Sequence, residues 1–210
     1  MKPKVIGILL AGGKSRRMGE NKLALFLGQL SIGSLSLKTA LDSSLDHILV
    51  VTDEKDQLEW VDPLLFSPFY RSRWTQVKAK QTDLGQAYSL RAGLNKAETE
   101  EVYGAVVLLG DQPFLSLSLL EEVIIQSREA VGSANQYAAA SFKDRIQPPI
   151  FLSRDLFPKL MKLQGDQGAR AVLRHDPLIK GVVIENDKWE NFYDIDTKEE
   201  YQWIKEVKNH

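Results

Sequence analysis

At 210 residues, with 43% apolar and 26% charged side chains, the chain suits one generous globular domain with a sizeable core. A formal net charge of -1 excludes recruitment to nucleic acid by bulk charge, and the absence of cysteine excludes disulfides, thiolate metal sites and a cysteine nucleophile. No apolar run reaches membrane-spanning length and no signal-peptide core follows Met1-Lys2-Pro3-Lys4, so a cytoplasmic protein without a membrane or nucleic-acid partner is expected.

Val5 to Leu10 is a short apolar run stopped by a glycine pair, the pattern of a parallel strand buried on both faces. Gly7 to Ser15 ends like a phosphate-binding Walker loop, but that loop needs G-x-x-x-x-G-K-[ST]. Ile8 stands where the first glycine belongs, and Ile8-Leu9-Leu10 cannot be both buried strand and phosphate wrap. The Walker reading fails. What remains is a strand running into Ala11-Gly12-Gly13 and then a basic stretch with Arg16, Arg17 and Lys22. Small residues there let a ligand approach the backbone, exposed N–H groups form an anion nest, and the cations can neutralise a polyphosphate.

Ile32, Leu35, Ala40 and Leu41 mark an amphipathic helix, and His47 to Thr52 a second buried strand ended by Asp53. Residues 54–74, with Pro63, Pro68 and several aromatics, read as helix pieces and loops; Thr75 to Lys80 alternates as a third strand. Ala87, Leu90, Leu94 and Ala97 share one helical face, and Val102 to Leu109 is a strong strand stopped by Gly110-Asp111-Gln112-Pro113. A carboxylate at that position can hold Mg²⁺, which favours carboxylate plus phosphate oxygens.

Ser116 is placed to cap the next helix. Tyr137 to Ser141 and Pro149 to Leu152 read as short strands around a polar loop, Phe142 to Pro148. Asp155 to Leu163 reads as helix, followed by Gly165-Asp166-Gln167-Gly168 and a helix from Ala169 to about Arg174. Gly181 to Glu185 is the last strand, and Thr197 caps a closing helix with Glu199 and Glu200 in its first turn. In Asp194-Ile195-Asp196 the alternation puts both aspartates on one face of an extended segment. The three histidines, His47 among them, are isolated and read as structural or solvent-facing.

Strands alternating with helices imply a three-layer α/β/α domain around a mostly parallel, doubly wound, Rossmann-like sheet. Ligands of such sheets sit at the carboxyl ends of the strands, so the polar stretches that follow strands should converge on one edge.

Leu10 to Lys22, written L-A-G-G-x-S-x-R-M-G-x-x-K, resembles the signature of the nucleotidyltransferases that transfer an NMP unit from an NTP. The chain is similar to the MobA/MocA-like branch, which makes molybdenum cofactor dinucleotides on a nucleotide-diphospho-sugar transferase type of fold. The resemblance runs in five ordered segments from Leu10 to the last helix. It implies that Leu10, Ala11, Gly12 and Gly13 meet the nucleotide, and that Arg17 and Lys22 hold the triphosphate. The G-D-x-P segment implies Asp111 as ligand of a Mg²⁺ cofactor, and D-I-D-T implies a second metal aspartate, Asp196 before Asp194. Gly85 and Ser89, within a segment like G-x-x-x-S-L-R-A-G-L, are implied in nucleotide recognition. Asp166, Gly168 and Arg170, within G-D-x-G-A-R, are implied in acceptor binding, with Lys22, Arg17 and Asp111 as the catalytic set.

The implied reaction is attack by the phosphate of molybdopterin on the α-phosphate of an NTP, releasing pyrophosphate. Residues about 1–115 would bind the NTP and about 140–196 the acceptor. L-A-G-G is commoner among guanylyltransferases, whereas the later segments point to cytidylyltransferases, so CTP is expected over GTP. A guanylyltransferase of the same pathway and a sugar-phosphate or alcohol-phosphate nucleotidyltransferase are the enzymatic alternatives. A non-enzyme delivering cofactor to a molybdoenzyme, such as a xanthine dehydrogenase, is the third; it would not need the aspartates.

Overall fold

The computed structural model describes residues 3–13, 19–176 and 178–208. In chain order the elements are β1 (Val5–Leu10), β2 (Phe26–Leu27), β3 (Leu30–Ser31), α1 (Ile32–Asp42), β4 (Ile48–Asp53), α2 (Pro68–Arg71), β5 (Trp74–Ala79) and α3 (Gln86–Glu98). Then follow β6 (Gly104–Leu109), α4 (Leu117–Glu129), β7 (Tyr137–Phe142), β8 (Arg145–Ser153), α5 (Phe157–Leu160), α6 (Arg170–His175), β9 (Gly181–Glu185) and α7 (Lys198–Lys208).

Seven strands form one sheet in the order β5-β4-β1-β6-β8-β7-β9; β2 and β3 make a separate small hairpin. Strand β8 runs against both of its neighbours, and every other pairing in the large sheet is parallel. The expected three-layer, mostly parallel architecture is the one observed. Pleating explains the layers. Val5 and Leu9 of β1 enter one core with Leu37 and Leu41 of α1, and with Leu120 and Ile124 of α4. Ile6, Ile8 and Leu10 enter the other, with Leu90 and Leu94 of α3 and Phe157 and Leu160 of α5. Burial on both faces is why these strands read as unbroken apolar runs.

Local chemistry sets the ends of the elements. The Ser116 hydroxyl accepts from Leu119 N and caps α4. Thr197 and Glu200 cap α7 reciprocally: Glu200 N donates to Thr197 Oγ1 (3.2 Å) and Thr197 N to a Glu200 carboxylate oxygen (2.9 Å).

One expectation needs correction. The polar loop Phe142 to Pro148 is mostly strand: β7 and β8 are joined by only Lys143-Asp144, both left-handed (φ 49° and 60°). Pro148 and Pro149, joined by a cis bond, sit where the register shifts between Ala139 and Ala140. A bulge is where a paired strand tolerates residues lacking an N–H. The helix expected over 155–163 is also shorter, a 3-10 turn (Arg154–Leu156) and then α5. Among the described residues no helix is long and apolar enough to cross a membrane.

Candidate active site

In the strand order, β1 has β4 on one side and β6 on the other, so the chain leaves β1 in one direction and returns on the opposite flank. The crevice outside the carboxyl ends of two such strands is where doubly wound sheets bind ligands. Here it is a cleft of about 630 Å³, and its walls come from the stretches that follow β1, β5 and β6, together with Lys22, Asp166, Asp194 and Asp196. Leu10 to Gly13 form one wall, Thr82 to Gln86 with Ser89 a second, and Lys22, Asp111, Asp194 and Asp196 the third; Asp166 stands at the rim.

The glycine turn is fixed by backbone bonds on both flanks. Ala11 N donates to Val51 O (2.8 Å) of β4, and Gly110 N donates to Leu10 O (2.9 Å). Leu10 and Ala11 are buried, and a side chain on Gly12 would meet Ser89 Oγ at 2.8 Å and Thr82 Cγ2 at 3.1 Å. Gly13 has open space where a Cβ would stand, so its backbone faces the cleft. Arg17 lies outside the described residues, as do Lys14 to Met18 as a group.

Lys22 begins a 3-10 turn capped by Asn21, whose side chain accepts from Leu23 N. Its ammonium donates to Asp111 (2.5 Å) and to Asp196 (2.7 Å), residues 89 and 174 positions away. Burial alone would lower the lysine pKa, but the charges and hydrogen bonds of both aspartates outweigh it and raise it. Lys22 is therefore a fixed cation. The Asp194-Ile195-Asp196 segment is hung on the same strand end: Ile195 N donates to Asp111 O (3.3 Å), and Ile195 is fully buried. Alternation then presents Asp194 and Asp196 to the cleft, as the sequence pattern implies. The surrounding protein mass, followed by the Asp111 and Asp196 charges, raises the Asp194 pKa above its ordinary value, although its surface stays open to the cleft.

Among the described residues the carboxylates of Asp111, Asp194 and Asp196 line the cleft with one fixed ammonium, an excess of negative charge. Among the described residues no group of three or more His, Cys, Asp or Glu is arranged to hold a metal by itself. That combination suits a hard divalent cation held by one or two carboxylates and completed by substrate phosphates, the habit of Mg²⁺. Asp111 and Asp196, which converge on the Lys22 ammonium, are the residues that could hold such an ion.

The second wall carries a contact with no sequence signal. Gly85 (φ 127°) packs directly on the Gly165-Asp166 backbone; a Cβ there would lie 2.1 Å from Gly165 C. Ala87 N donates to Gly165 O (3.0 Å), and a Cβ on Gly168 would strike Gln86 Oε1 at 2.2 Å. The segment expected to serve the acceptor is thus bolted to the start of α3. Asp166 lines the cleft, Gly168 stands behind Gln86, and Arg170 is exposed and outside the cleft lining. Ser89 is buried and lines the cleft, as does Gly85.

Sequence reading missed Thr82, Asp83 and Leu84, which line the cleft after β5. Their position at strand carboxyl ends was the available signal. His47 is away from the cleft lining, with its Nε2 paired to Thr75 Oγ1 (2.9 Å).

Comparison with known proteins agrees with this fold. Residues 7–180 match the family model described as the MobA-like NTP transferase domain. Purine catabolism protein PucB of Bacillus subtilis (strain 168) is 43% identical over 204 residues, 97% of each chain. Among solved structures, the homologue of Mycobacterium tuberculosis Rv0371c from Mycobacterium sp. strain JC1 superposes with a TM-score of 0.79 at 24% identity over all of both chains. Rv0371c of M. tuberculosis in complex with manganese gives 0.68 at 22% identity, covering 97% of this chain and 98% of that one. These two likenesses are of fold. With the family model spanning most of its length and a curated relative at that identity, the chain belongs to the MobA-like NTP transferase family of nucleotidyltransferases.

Proposed function

We propose that the chain transfers an NMP unit from an NTP, CTP in preference to GTP, to the phosphate of molybdopterin and releases pyrophosphate. The carrying observation is the convergence of Lys22, Asp111 and Asp196 at 2.5 and 2.7 Å, beside the glycine turn. Such a constellation can bind a triphosphate and balance its charge, and nothing in it calls for a covalent intermediate.

In this reading the Ala11-Gly12-Gly13 backbone and the Gly85–Ser89 wall orient the nucleotide, with Arg17 and Lys22 on its phosphates. Lys22, a permanent cation at this site, takes up charge on the departing pyrophosphate. Asp111 and Asp196, with Asp194 beside them, are the residues that would hold a Mg²⁺, which would supply charge neutralisation to the phosphates. The acceptor phosphate is already anionic, so no general base is required. Asp166, Gly168 and Arg170 belong to the acceptor side, and the contact of Gly165 with Gly85 holds that side in register with the nucleotide wall. Residues about 1–115 then supply the NTP half and about 140–196 the acceptor half, acting in the cytoplasm.

The relative's name, purine catabolism protein, supports a purine-oxidising molybdoenzyme of the xanthine dehydrogenase type as recipient of the product. The test is pyrophosphate release from each of the four NTPs, with and without molybdopterin. Release dependent on molybdopterin and fastest with CTP is expected. Release with a sugar phosphate or alcohol phosphate in its place overturns the acceptor, GTP preference overturns the base, and no release with any acceptor leaves a delivery role.

A further inference from the structure

Asp53 and Thr82 belong to none of the family-like segments, yet they meet directly beneath the glycine turn. The Thr82 hydroxyl donates to one Asp53 carboxylate oxygen at 2.6 Å, while the other oxygen accepts from Lys55 N at 3.0 Å and closes the turn after β4. Thr82 is 5% exposed, so this bond to a charged acceptor is made largely out of water. Its geometry is held from both ends. Gln76 of β5 donates to Thr52 Oγ1 (3.0 Å) and to Asp56 O (3.1 Å), tying the Asp53 turn to the neighbouring strand. Thr82 opens a 3-10 turn (Thr82–Leu84) entered through Gln81 in the left-handed region (φ 58°) and left through Gly85.

The other branch of Thr82 points the opposite way. Its Cγ2 lies 3.1 Å, and Asp53 N 3.5 Å, from where a Cβ on Gly12 would stand. One β-branched side chain therefore spends its hydroxyl on Asp53 and its methyl on the missing side chain of Gly12. Valine would lose the first contact and serine the second.

We propose that Asp53 and Thr82 form a positioning pair that sets the distance between the glycine turn and the 82–89 wall, and thereby the width of the nucleoside half of the cleft. The inference rests on the nucleotidyltransferase reading of the site. Neither residue is assigned to the reacting phosphates, so loss of the pair weakens binding of the nucleotide in ground and transition states alike.

The experiment is titration calorimetry with α,β-methylene analogues of CTP and GTP, alongside steady-state pyrophosphate release, on Thr82→Val, Thr82→Ser, Asp53→Ala and the double variant Thr82→Val/Asp53→Ala. Thr82→Val and Asp53→Ala should each raise Kd and KM about tenfold, the loss expected for one buried charge-assisted bond, with kcat within about twofold. Thr82→Ser should recover most of the loss. The double variant should be no worse than Asp53→Ala alone, because that change already removes the bond to Thr82 together with the one from Lys55 N. If Thr82→Val does not fold, Asp53→Asn, which keeps shape and weakens the acceptor, takes its place with the same expectation. Additive penalties, a kcat loss with unchanged KM, or analogue binding equal to wild type overturns the pair. A wild-type protein that binds neither analogue and releases no pyrophosphate overturns the site reading itself, and the pair with it.

Discussion

At the scale of single residues, the most exposed claim concerns Asp111. Its side chain is shared between the Lys22 ammonium at 2.5 Å and the cleft, and its backbone carries the segment bearing Asp194 and Asp196. Asp111→Asn keeps the volume and the backbone bond but removes the charge that a divalent cation and Lys22 both need. Pyrophosphate release should fall at least about a hundredfold, the scale of losing one charged transition-state contact, while nucleotide binding survives in part. Steady-state assay and calorimetry on the one variant separate the two effects. Near-normal turnover would remove Asp111 from the metal site. The placement of such residues was legible in the sequence because they follow strands or stand in the quoted segments: Gly12, Lys22, Asp111 and Asp196 line one cleft. Asp53 and Thr82 were not legible, because they act by filling space left at a glycine, and no local pattern records a partner 29 residues away.

At the scale of elements, two glycines predict opposite outcomes. Gly85 combines a backbone conformation that other residues avoid with direct contact on the Gly165 carbonyl. Gly85→Ala should therefore cost more than about 2 kcal/mol in urea unfolding, from strain and overlap together. Gly165 is also left-handed (φ 56°), but nothing lies within 4 Å of its Cβ direction. Asparagine tolerates that conformation, so Gly165→Asn should cost under about 1 kcal/mol. Equal losses would show that the contact between these turns is not what limits the fold. His47 gives a second element-scale expectation. Burial lowers its pKa below the ordinary 6.5; Glu100 opposes this, and Lys4, Lys96 and Arg71 reinforce it. The unfolded chain then binds the extra proton first, so this contribution is complete above pH 6.5 and is lost as pH falls towards the depressed folded value. Unfolding midpoints measured between pH 7.5 and 5.5 should fall more steeply for the wild type than for His47→Gln. The strand β8 marks where element reading failed: its prolines signal loop locally, and only the bulge opposite β7 makes them admissible in a paired strand.

At the scale of the whole molecule, the site exists only when the sheet is complete, because its walls bring together residues as distant in sequence as Leu10 and Asp196. Alternating elements made the sheet predictable and the strand-end rule made the convergence predictable; the docking of the 165–168 turn onto α3 was not, since it is a backbone contact between two loops. A site assembled this way links ligand binding to global stability. A ligand present at a hundred times its dissociation constant stabilises the native state by about 2.7 kcal/mol. For a chain of this size that corresponds to a rise in thermal midpoint of about 5 to 11 °C. Mg²⁺ with the α,β-methylene CTP analogue should produce that rise, and the analogue with EDTA a clearly smaller one. The difference between the two conditions should vanish in Asp111→Asn, where one of the carboxylates that would hold the cation is gone. An equal shift with and without EDTA in the wild type would mean that Lys22 and the glycine turn bind the triphosphate unaided, and that Asp111 and Asp196 serve to hold Lys22 rather than a metal.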